Sequence, residues 1–454
     1  RRHMTLTMIS KTGCSGPSVI RRLAGIVLCG SVLAGCASDS TPGEPGNEFG
    51  GAPDLVEPTT ALLPTVNPAK AVGWSDDVAP TSIPGLTVNA FARDLEHPRW
   101  LLVLPNGDIL VAETNGPTSG AGVKGIKGWI AAKMMAYAGA GVPSPDRITL
   151  LRDADQDGVA EQRFTLLDNL RSPFGMALTG GFLYVANAAE LLRFPYQQGD
   201  TRITAPAESV APLPGKDLNQ HWTKNLLLSA DGKTLYVAVG SNSNIGENGL
   251  TAEHHRAAIL TVDVDTGETD VFASGLRNPV GMAWQPSSQR LWTVVNERDE
   301  LGDQLVPDYL TEVEEGAFYG WPYSYWGDNV DLRVTPQQPA LVAQARRPDY
   351  ALGAHTASLG LAFYSHTAIP SLQGAAIIGQ HGSWNRAQPS GYKVIAVPFD
   401  DGQPTGSPQD LLVGFLNSDA QAQGRPVGVA VDSQGAILVA DDVGNIIWRI
   451  SALE

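Results

Sequence analysis

Asp231-Gly232-Lys233, followed by Thr234-Leu235-Tyr236-Val237-Ala238-Val239, is a polar turn feeding a short apolar strand. Gly, Asn, Asp and Ser accept turn conformations that other residues resist, and β-branched and aromatic residues suit a pleated, half-buried surface. The same arrangement occurs five more times. Pro105-Asn106-Gly107 precedes Asp108 to Ala112, Gly180-Gly181 precedes Phe182 to Ala186, and Pro286 to Arg290 precede Leu291 to Val295. Gln373-Gly374 precedes Ala375 to Gly379, and Gln434-Gly435 precedes Ala436 to Ala440. The strand centres fall about 50–85 residues apart, room for a four-stranded sheet with long loops in each unit, which is the size of a propeller blade. A further strand follows at hairpin distance in Glu190 to Phe194, Tyr392 to Pro398 and Asn445 to Ile450.

The pattern therefore predicts an all-β protein, a six-bladed β-propeller with inserted loops. A pair of β-sandwiches or a β-helix tolerates similar turns, but the uneven spacing suits loops inserted on a propeller face better than a strict solenoid. Lys127 to Ala138, with Trp129, Ile130, Met134, Met135 and Tyr137, shows no alternation and is expected as one short apolar helix.

Composition agrees. Of 454 residues 49 are Gly and 32 Pro, a turn-rich balance that disfavours a helical bundle or coiled coil. The net charge of −16 repels a phosphate backbone and argues against a nucleic-acid partner. Cys14, Cys29 and Cys36 all lie in the first tenth of the chain, where they can neither staple the fold nor build a cysteine zinc site.

Arg21-Arg22 and the apolar run Leu23 to Leu33 suit a signal-peptide core, being too short to span a bilayer as a mature helix. Leu33-Ala34-Gly35-Cys36 resembles the bacterial lipobox, in which cleavage precedes the cysteine and the cysteine carries lipid. Residues 1–35 are thus expected as a lipoprotein signal peptide. Residues 36–84, Cys36 and a stretch rich in Ser, Thr, Pro, Gly and Asp, are expected as a flexible tether, and 85–454 as the propeller. This places the protein on a periplasm-facing bacterial membrane, held only by its lipid.

Several polar constellations carry chemical potential. Asp153-Ala154-Asp155-Gln156-Asp157-Gly158 alternates carboxylates before a turning glycine, which suits Ca²⁺, with Glu161 as a further ligand; a solvated acidic turn is the other reading. His221, in Asn219-Gln220-His221-Trp222-Thr223-Lys224, immediately precedes an expected inner strand and is a candidate general base at the channel, or else a packed residue. His254 and His255, in Ala252-Glu253-His254-His255-Arg256, are expected as loop residues. The serine-hydrolase elbow, the dinucleotide glycine pattern and the Walker loop are absent. Four polar loops adjoin expected inner strands and each carries an arginine: Arg277 in Gly275 to Gly281, Arg298 in Asn296 to Asp303, Arg386 in Gln380 to Arg386, and Arg425 in Gly424 to Gly428. Guanidinium groups from several blades at one mouth point to a ligand with several carboxylates.

Gly275-Leu276-Arg277-Asn278-Pro279-Val280-Gly281, the stretch Asn296 to Leu310, Tyr319-Gly320-Trp321-Pro322 and Arg425 to Ile450 together resemble the glucose/sorbosone dehydrogenases, closest to the L-sorbosone dehydrogenase-like branch. The resemblance runs from about Leu86 to the C-terminus. It implies a six-bladed propeller that binds pyrroloquinoline quinone (PQQ) and Ca²⁺ and oxidises an aldose or aldehyde sugar by hydride transfer to the quinone. It further implies that His221 removes the substrate proton, that Arg277 lies beside the quinone carbonyls with Asn278 next to it, and that Arg425 holds cofactor carboxylates. The main-chain carbonyls of Arg298 and Asp299 correspond to the calcium-binding pair, with Asp299 or Asp303 as a possible side-chain ligand, since a Gly-Pro pair stands there in better-known members. Arg386 takes the place of a cofactor-binding lysine, with His381 nearby, and His355, in Ala354-His355-Thr356, that of a stacking tryptophan. The electrons would pass to a cytochrome or membrane quinone. Two other readings remain: a non-catalytic propeller binding a glycan or protein, and a metal-dependent lactonase, which would need a carboxylate-rich central calcium site.

Overall fold

The computed structural model describes residues 48–60, 65–117, 133–215 and 218–453. The six turn-strand repeats of the sequence each become the second strand of a four-stranded antiparallel sheet. Pro98–Val103, Ile109–Glu113, Arg147–Arg152 and Gln162–Leu167 form blade 1, and Met176–Thr179, Phe182–Ala186, Glu190–Pro195 and Glu208–Pro212 form blade 2. Blade 3 is Lys224–Leu228, Thr234–Val239, Ala258–Asp263 and Thr269–Ser274; blade 4 is Pro279–Trp284, Leu291–Val295, Pro307–Glu312 and Tyr350–Ala354. Blade 5 is Ser358–Phe363, Ala376–Gln380, Lys393–Val397 and Gln409–Val413. Blade 6 takes three strands from the C-terminus, Pro426–Val431, Ile437–Asp441 and Ile446–Ala452, and its fourth, Leu86–Ala92, from the start of the ring. That exchange closes the circle and removes the edges an open sheet would expose.

Alternation along each strand explains the packing. In blade 6, Ile437 and Val439 face blade 5 beside Val394 and Leu412, while Leu438 and Ala440 face blade 1 beside Val111 and Ile109. Six such apolar layers, one per pair of neighbouring blades, make the core. Glycine sets the spacing of the innermost strands. A Cβ on Gly281 would collide with the backbone of Leu359 and Leu361 in the next blade, and one on Gly428 with the backbone of Arg99 and Trp100. The Val-Gly pairs of two arginine loops therefore serve ring closure.

The stretch expected as a tether departs from expectation. Phe49–Gly50 adds a fifth strand to blade 4 and Thr81–Ser82 a fifth to blade 5. Between them the chain is laced to the ring by Thr59 N–H to Leu301 O (3.0 Å), Asn67 N–H to Trp384 O (2.8 Å) and a parallel bridge of Ala71 with Ala422. Trp74 donates to Asp441 Oδ2 at 2.7 Å and packs edge-on against Phe415 and Trp448. The folded unit thus begins by residue 48 instead of 85, because backbone pairing and one tryptophan hold a segment that has no apolar period. Of the expected helix over 127–138, residues 133–137 are helical and 127–132 lie outside the described residues. Residues 1–35, expected as a signal peptide, and Cys36 also lie outside them. Among the described residues no helix is long and apolar enough to cross a membrane.

Candidate functional site

Strand registers bring the candidate residues together. In blades 1, 3, 4, 5 and 6 the first residue of the innermost strand pairs with the last of the second: Pro98 with Glu113, Lys224 with Val239, Pro279 with Val295, Ser358 with Gln380 and Pro426 with Asp441. All these ends lie on one face. The loops that leave and enter there carry His221, Arg277, Asn278, Arg298, Asp299, His355, His381, Arg386 and Arg425, as the sequence indicated.

His221 is held by its neighbour in blade 3. Its Nδ1 lies 2.8 Å from Ser241 O and 3.0 Å from Ser241 Oγ. A carbonyl only accepts, so Nδ1 carries the proton and Nε2 keeps its lone pair. Burial, then the charges of Arg277 and Arg256, push the imidazole down to about 3, and it is neutral at physiological pH. Gly240 allows the approach: a Cβ there would collide with Asn278 Oδ1 and His221 Cβ.

Arg277 is buried and well supplied with acceptors. Nη1 donates to Glu297 O at 2.6 Å, and Nη2 donates to Asn244 Oδ1 at 2.9 Å and Asp299 Oδ2 at 3.2 Å. Beside it, Asn278 Oδ1 is buried without a partner. Asp299 Oδ1 faces His355 Nδ1 at 3.2 Å, and His355 Nε2 faces Gly302 O at 2.9 Å. Both ring nitrogens of His355 meet acceptors, so it is an imidazolium. Burial opposes that charge most strongly, but the bond to and charge of Asp299, with the Gly302 carbonyl and Asp308, together outweigh it and raise the histidine; the His355 bond, with Arg277, lowers Asp299 against its own burial.

Of the two carbonyls expected to bind calcium, that of Asp299 already has partners. Asp299 O accepts from Arg333 Nη1 at 3.0 Å and from Asn244 Nδ2 at 3.2 Å, so a guanidinium stands where a cation would sit. Asp303 Oδ2 accepts Ala387 N–H at 3.0 Å and ties down another loop. The Arg298 side chain is fully buried and turned away, bonded to Glu297 Oε2 (2.9 Å), Asp331 Oδ2 (3.2 Å), Pro322 O (2.8 Å) and Ser324 O (2.7 Å). Asp299 O and Asp303 Oδ2 thus both face donors, an arrangement that does not suit Ca²⁺ at Asp299.

The remaining arginines meet the N-terminal arm. Arg386 lies 3.4 Å from Glu48 and donates to Ala354 O at 3.2 Å. Arg425 donates to Ala69 O (3.2 Å) and His381 O (3.3 Å), stacks 4.7 Å from the Tyr392 ring centre, and keeps Nε buried without a partner.

The sequence did not reveal a cluster from three blades. Asp442 takes Arg99 Nη1 at 2.7 Å and His381 Nε2 at 2.9 Å, with His97 Nε2 3.6 Å away. Burial opposes ionisation of Asp442, but His381, His97 and Arg99 hold its carboxyl far below the carboxylate range. Arg99 rests 5.8 Å from the ring centre of Trp222, next to His221, and its Nε is also unpartnered. Only the adjacency of Arg99 to Pro98 at an inner-strand start signalled this.

The acidic turn stands apart. Asp153, Asp155, Asp157 and Glu161 bring ligand atoms within 4.8 Å of one another, the sole such group among the described residues. The turn joins Arg147–Arg152 to Gln162–Leu167 at the end opposite Glu113, hence on the face away from His221.

Residues 185–385 match the family model described as glucose/sorbosone dehydrogenase, and residues 335–452 one described as TrAA12-like. The aldose sugar dehydrogenase of Escherichia coli K12 is 32% identical over 111 residues, 24% of this chain and 28% of that protein. The pyrroloquinoline quinone-dependent sugar dehydrogenase of Hypocrea jecorina is 24% identical over 326 residues, 61% of this chain and 74% of that protein. The holo pyranose dehydrogenase PQQ domain from Coprinopsis cinerea superposes with a TM-score of 0.67 at 19% identity, covering 85% of this chain and 100% of that one. At that identity the likeness is one of fold.

Proposed function

We propose that this chain, whose residues 185–385 carry a glucose/sorbosone dehydrogenase domain, is a PQQ-dependent oxidoreductase that oxidises an aldose or aldehyde sugar and hands the electrons to a cytochrome or membrane quinone. The observation that carries the reading is His221: a neutral imidazole with Nδ1–H fixed on Ser241 O and Nε2 left as a base.

The unpartnered polar set, two guanidinium donors and one amide acceptor, suits a tricarboxylate quinone. Asn278 Oδ1, Arg425 Nε and Arg99 Nε are buried on one face without partners, and leaving such atoms unmet costs about 1–3 kcal/mol each. Arg425, Arg99 and Arg386 would hold carboxylates, and Arg277 with Asn278 would lie along the quinone edge. When bound, the quinone supplies the hydride acceptor.

The chain's own residues do the rest. His221 takes the substrate hydroxyl proton at Nε2, which a neutral ring does at physiological pH without prior deprotonation. Arg277, immobilised by Glu297 O, Asn244 and Asp299, presents fixed positive charge where negative charge develops. Trp222, edge-on to Phe174, gives the mouth an apolar wall beside the base. With the Asp299 carbonyl covered by Arg333, no step is assigned to a metal at the mouth.

Two further elements belong to the proposal. The acidic turn is read as a structural Ca²⁺ site, and Leu33-Ala34-Gly35-Cys36 supports export with lipid attachment at Cys36, facing the periplasm. The function is tested by titrating the protein with PQQ, then adding a panel of aldoses and aldehydes. Stoichiometric binding followed by substrate-dependent reduction is expected; no binding at micromolar quinone would overturn it.

A further inference from the structure

We propose that Arg256 is the positioning residue of the His221 base, gripping from below the two carbonyls that fix the place and the tautomer of its ring. The inference rests on His221 serving as the base of the reaction proposed above. Arg256 follows the paired histidines of a loop in which the sequence showed no function. The fold carries it beneath the His221 turn, where it is 5% exposed.

Its donors are all aimed at that turn. Nη2 donates to His221 O at 2.9 Å and to Ser241 O at 3.4 Å; Nη1 donates to Asn219 Oδ1 at 3.0 Å and Pro214 O at 2.9 Å. Ser241 O is the atom that receives His221 Nδ1–H at 2.8 Å and His221 N–H at 3.3 Å. One carbonyl thus joins the base to Arg256. A planar guanidinium can hold two carbonyls in a set geometry, as a lysine ammonium cannot. Lys224 completes the clamp from the same side, donating to Asn219 Oδ1 at 3.1 Å and Trp222 O at 2.9 Å.

The charges facing the base are few. Arg256, Lys224 and Glu253 lie on the blade 3 side, and Arg277 and Asp299 on the blade 4 side. Burial, then Arg256, lowers Lys224 well below the usual lysine range. Glu253 accepts Asn242 N–H at 2.8 Å, and Asn242 Oδ1 accepts Gln220 N–H at 3.2 Å, so the residues flanking Ser241 and His221 are tied together as well.

Removing Arg256 leaves the His221 ring free to exchange its Nδ1–H form for the Nε2–H form, which cannot accept a proton at Nε2. The test compares wild type, Arg256→Met and Arg256→Lys, each checked for a native melt and circular dichroism. The His221 ring tautomer is read by ¹⁵N NMR on the quinone-free protein. Steady-state turnover and quinone affinity are read on the loaded protein. Wild type is expected to show a single Nδ1–H tautomer, and Arg256→Met a mixture, with kcat down on the order of 10- to 100-fold and quinone affinity within about twofold. Arg256→Lys should recover part of both readouts, and it decides the matter if Arg256→Met does not fold. Unchanged tautomer and kcat in a folded Arg256→Met variant, or in Arg256→Lys where Arg256→Met does not fold, would overturn the inference. If wild type oxidises no sugar, the functional reading fails, and the tautomer shift alone decides whether Arg256 positions the ring.

Discussion

His221 Nδ1 lies 2.8 Å from the carbonyl oxygen of Ser241, and the N–H of that same serine is held by Arg277 O at 2.8 Å. Base and arginine thus share one short span of backbone. Because the ring is held neutral down to about 3, loss of kcat/KM through protonation of His221 should begin only below pH 5, far under the ordinary histidine value of 6.5. Arg277→Gln removes one of the charges that depress it, and the acid limb should then move upward. A limb near 6.5 in wild type would show that the ring is not held as described.

Trp74 ties the N-terminal arm to blade 6 through Asp441 and the Trp448 ring. Trp74→Ala should lower stability by up to about 3 kcal/mol, the lower end for truncating a packed tryptophan. A chain beginning at residue 85 should melt well below one beginning at residue 48, since it lacks both added strands. Equal melting temperatures in calorimetry would mean that the arm is a tether after all.

Arg298 separates structural from functional arginines. Arg298→Met leaves Glu297 with an uncompensated buried carboxylate and should cost about 3–5 kcal/mol. Arg425→Ala should instead weaken quinone binding by tenfold or more, with a smaller loss of stability than Arg298→Met. Chemical denaturation beside quinone titration distinguishes the two; loss of quinone affinity in a stably folded Arg298→Met variant would contradict this division.

At the acidic turn, Ca²⁺ at 100 times its dissociation constant should stabilise the fold by about 2.7 kcal/mol without altering turnover. Asp155→Asn with Asp157→Asn should abolish the thermal shift. No shift with Ca²⁺ in wild type would leave a solvated acidic turn.

The sequence made the ring legible because each blade repeats one local rule, a polar turn of Gly, Asn, Asp or Ser before a short apolar strand, and all six second strands fall within a residue of where that rule puts them. It also placed His221, Arg277 and Arg425 on one mouth, since position at an inner-strand end follows from topology. Side-chain direction was not legible. Arg298 and Arg277 stand in similar loops, yet one turns into a buried pair with Glu297 and Asp331 and the other faces the mouth. Partners far along the chain were hidden for the same reason: Arg333 covers the Asp299 carbonyl from 34 residues away, and Asp442 reaches Arg99 across the ring closure. The arm escaped notice because most of its bonds are made by backbone, which leaves no periodicity.

Anaerobic single turnover shows whether His221 takes the hydroxyl proton as hydride leaves the sugar. Wild type and His221→Ala, both loaded with PQQ to equal occupancy, are mixed with a sugar that wild type oxidises, and quinone reduction is followed by absorbance. Rapid reduction is expected in wild type, with a rate on the order of 10²- to 10⁴-fold lower in His221→Ala at unchanged quinone affinity. Equal rates of reduction would contradict that role of His221.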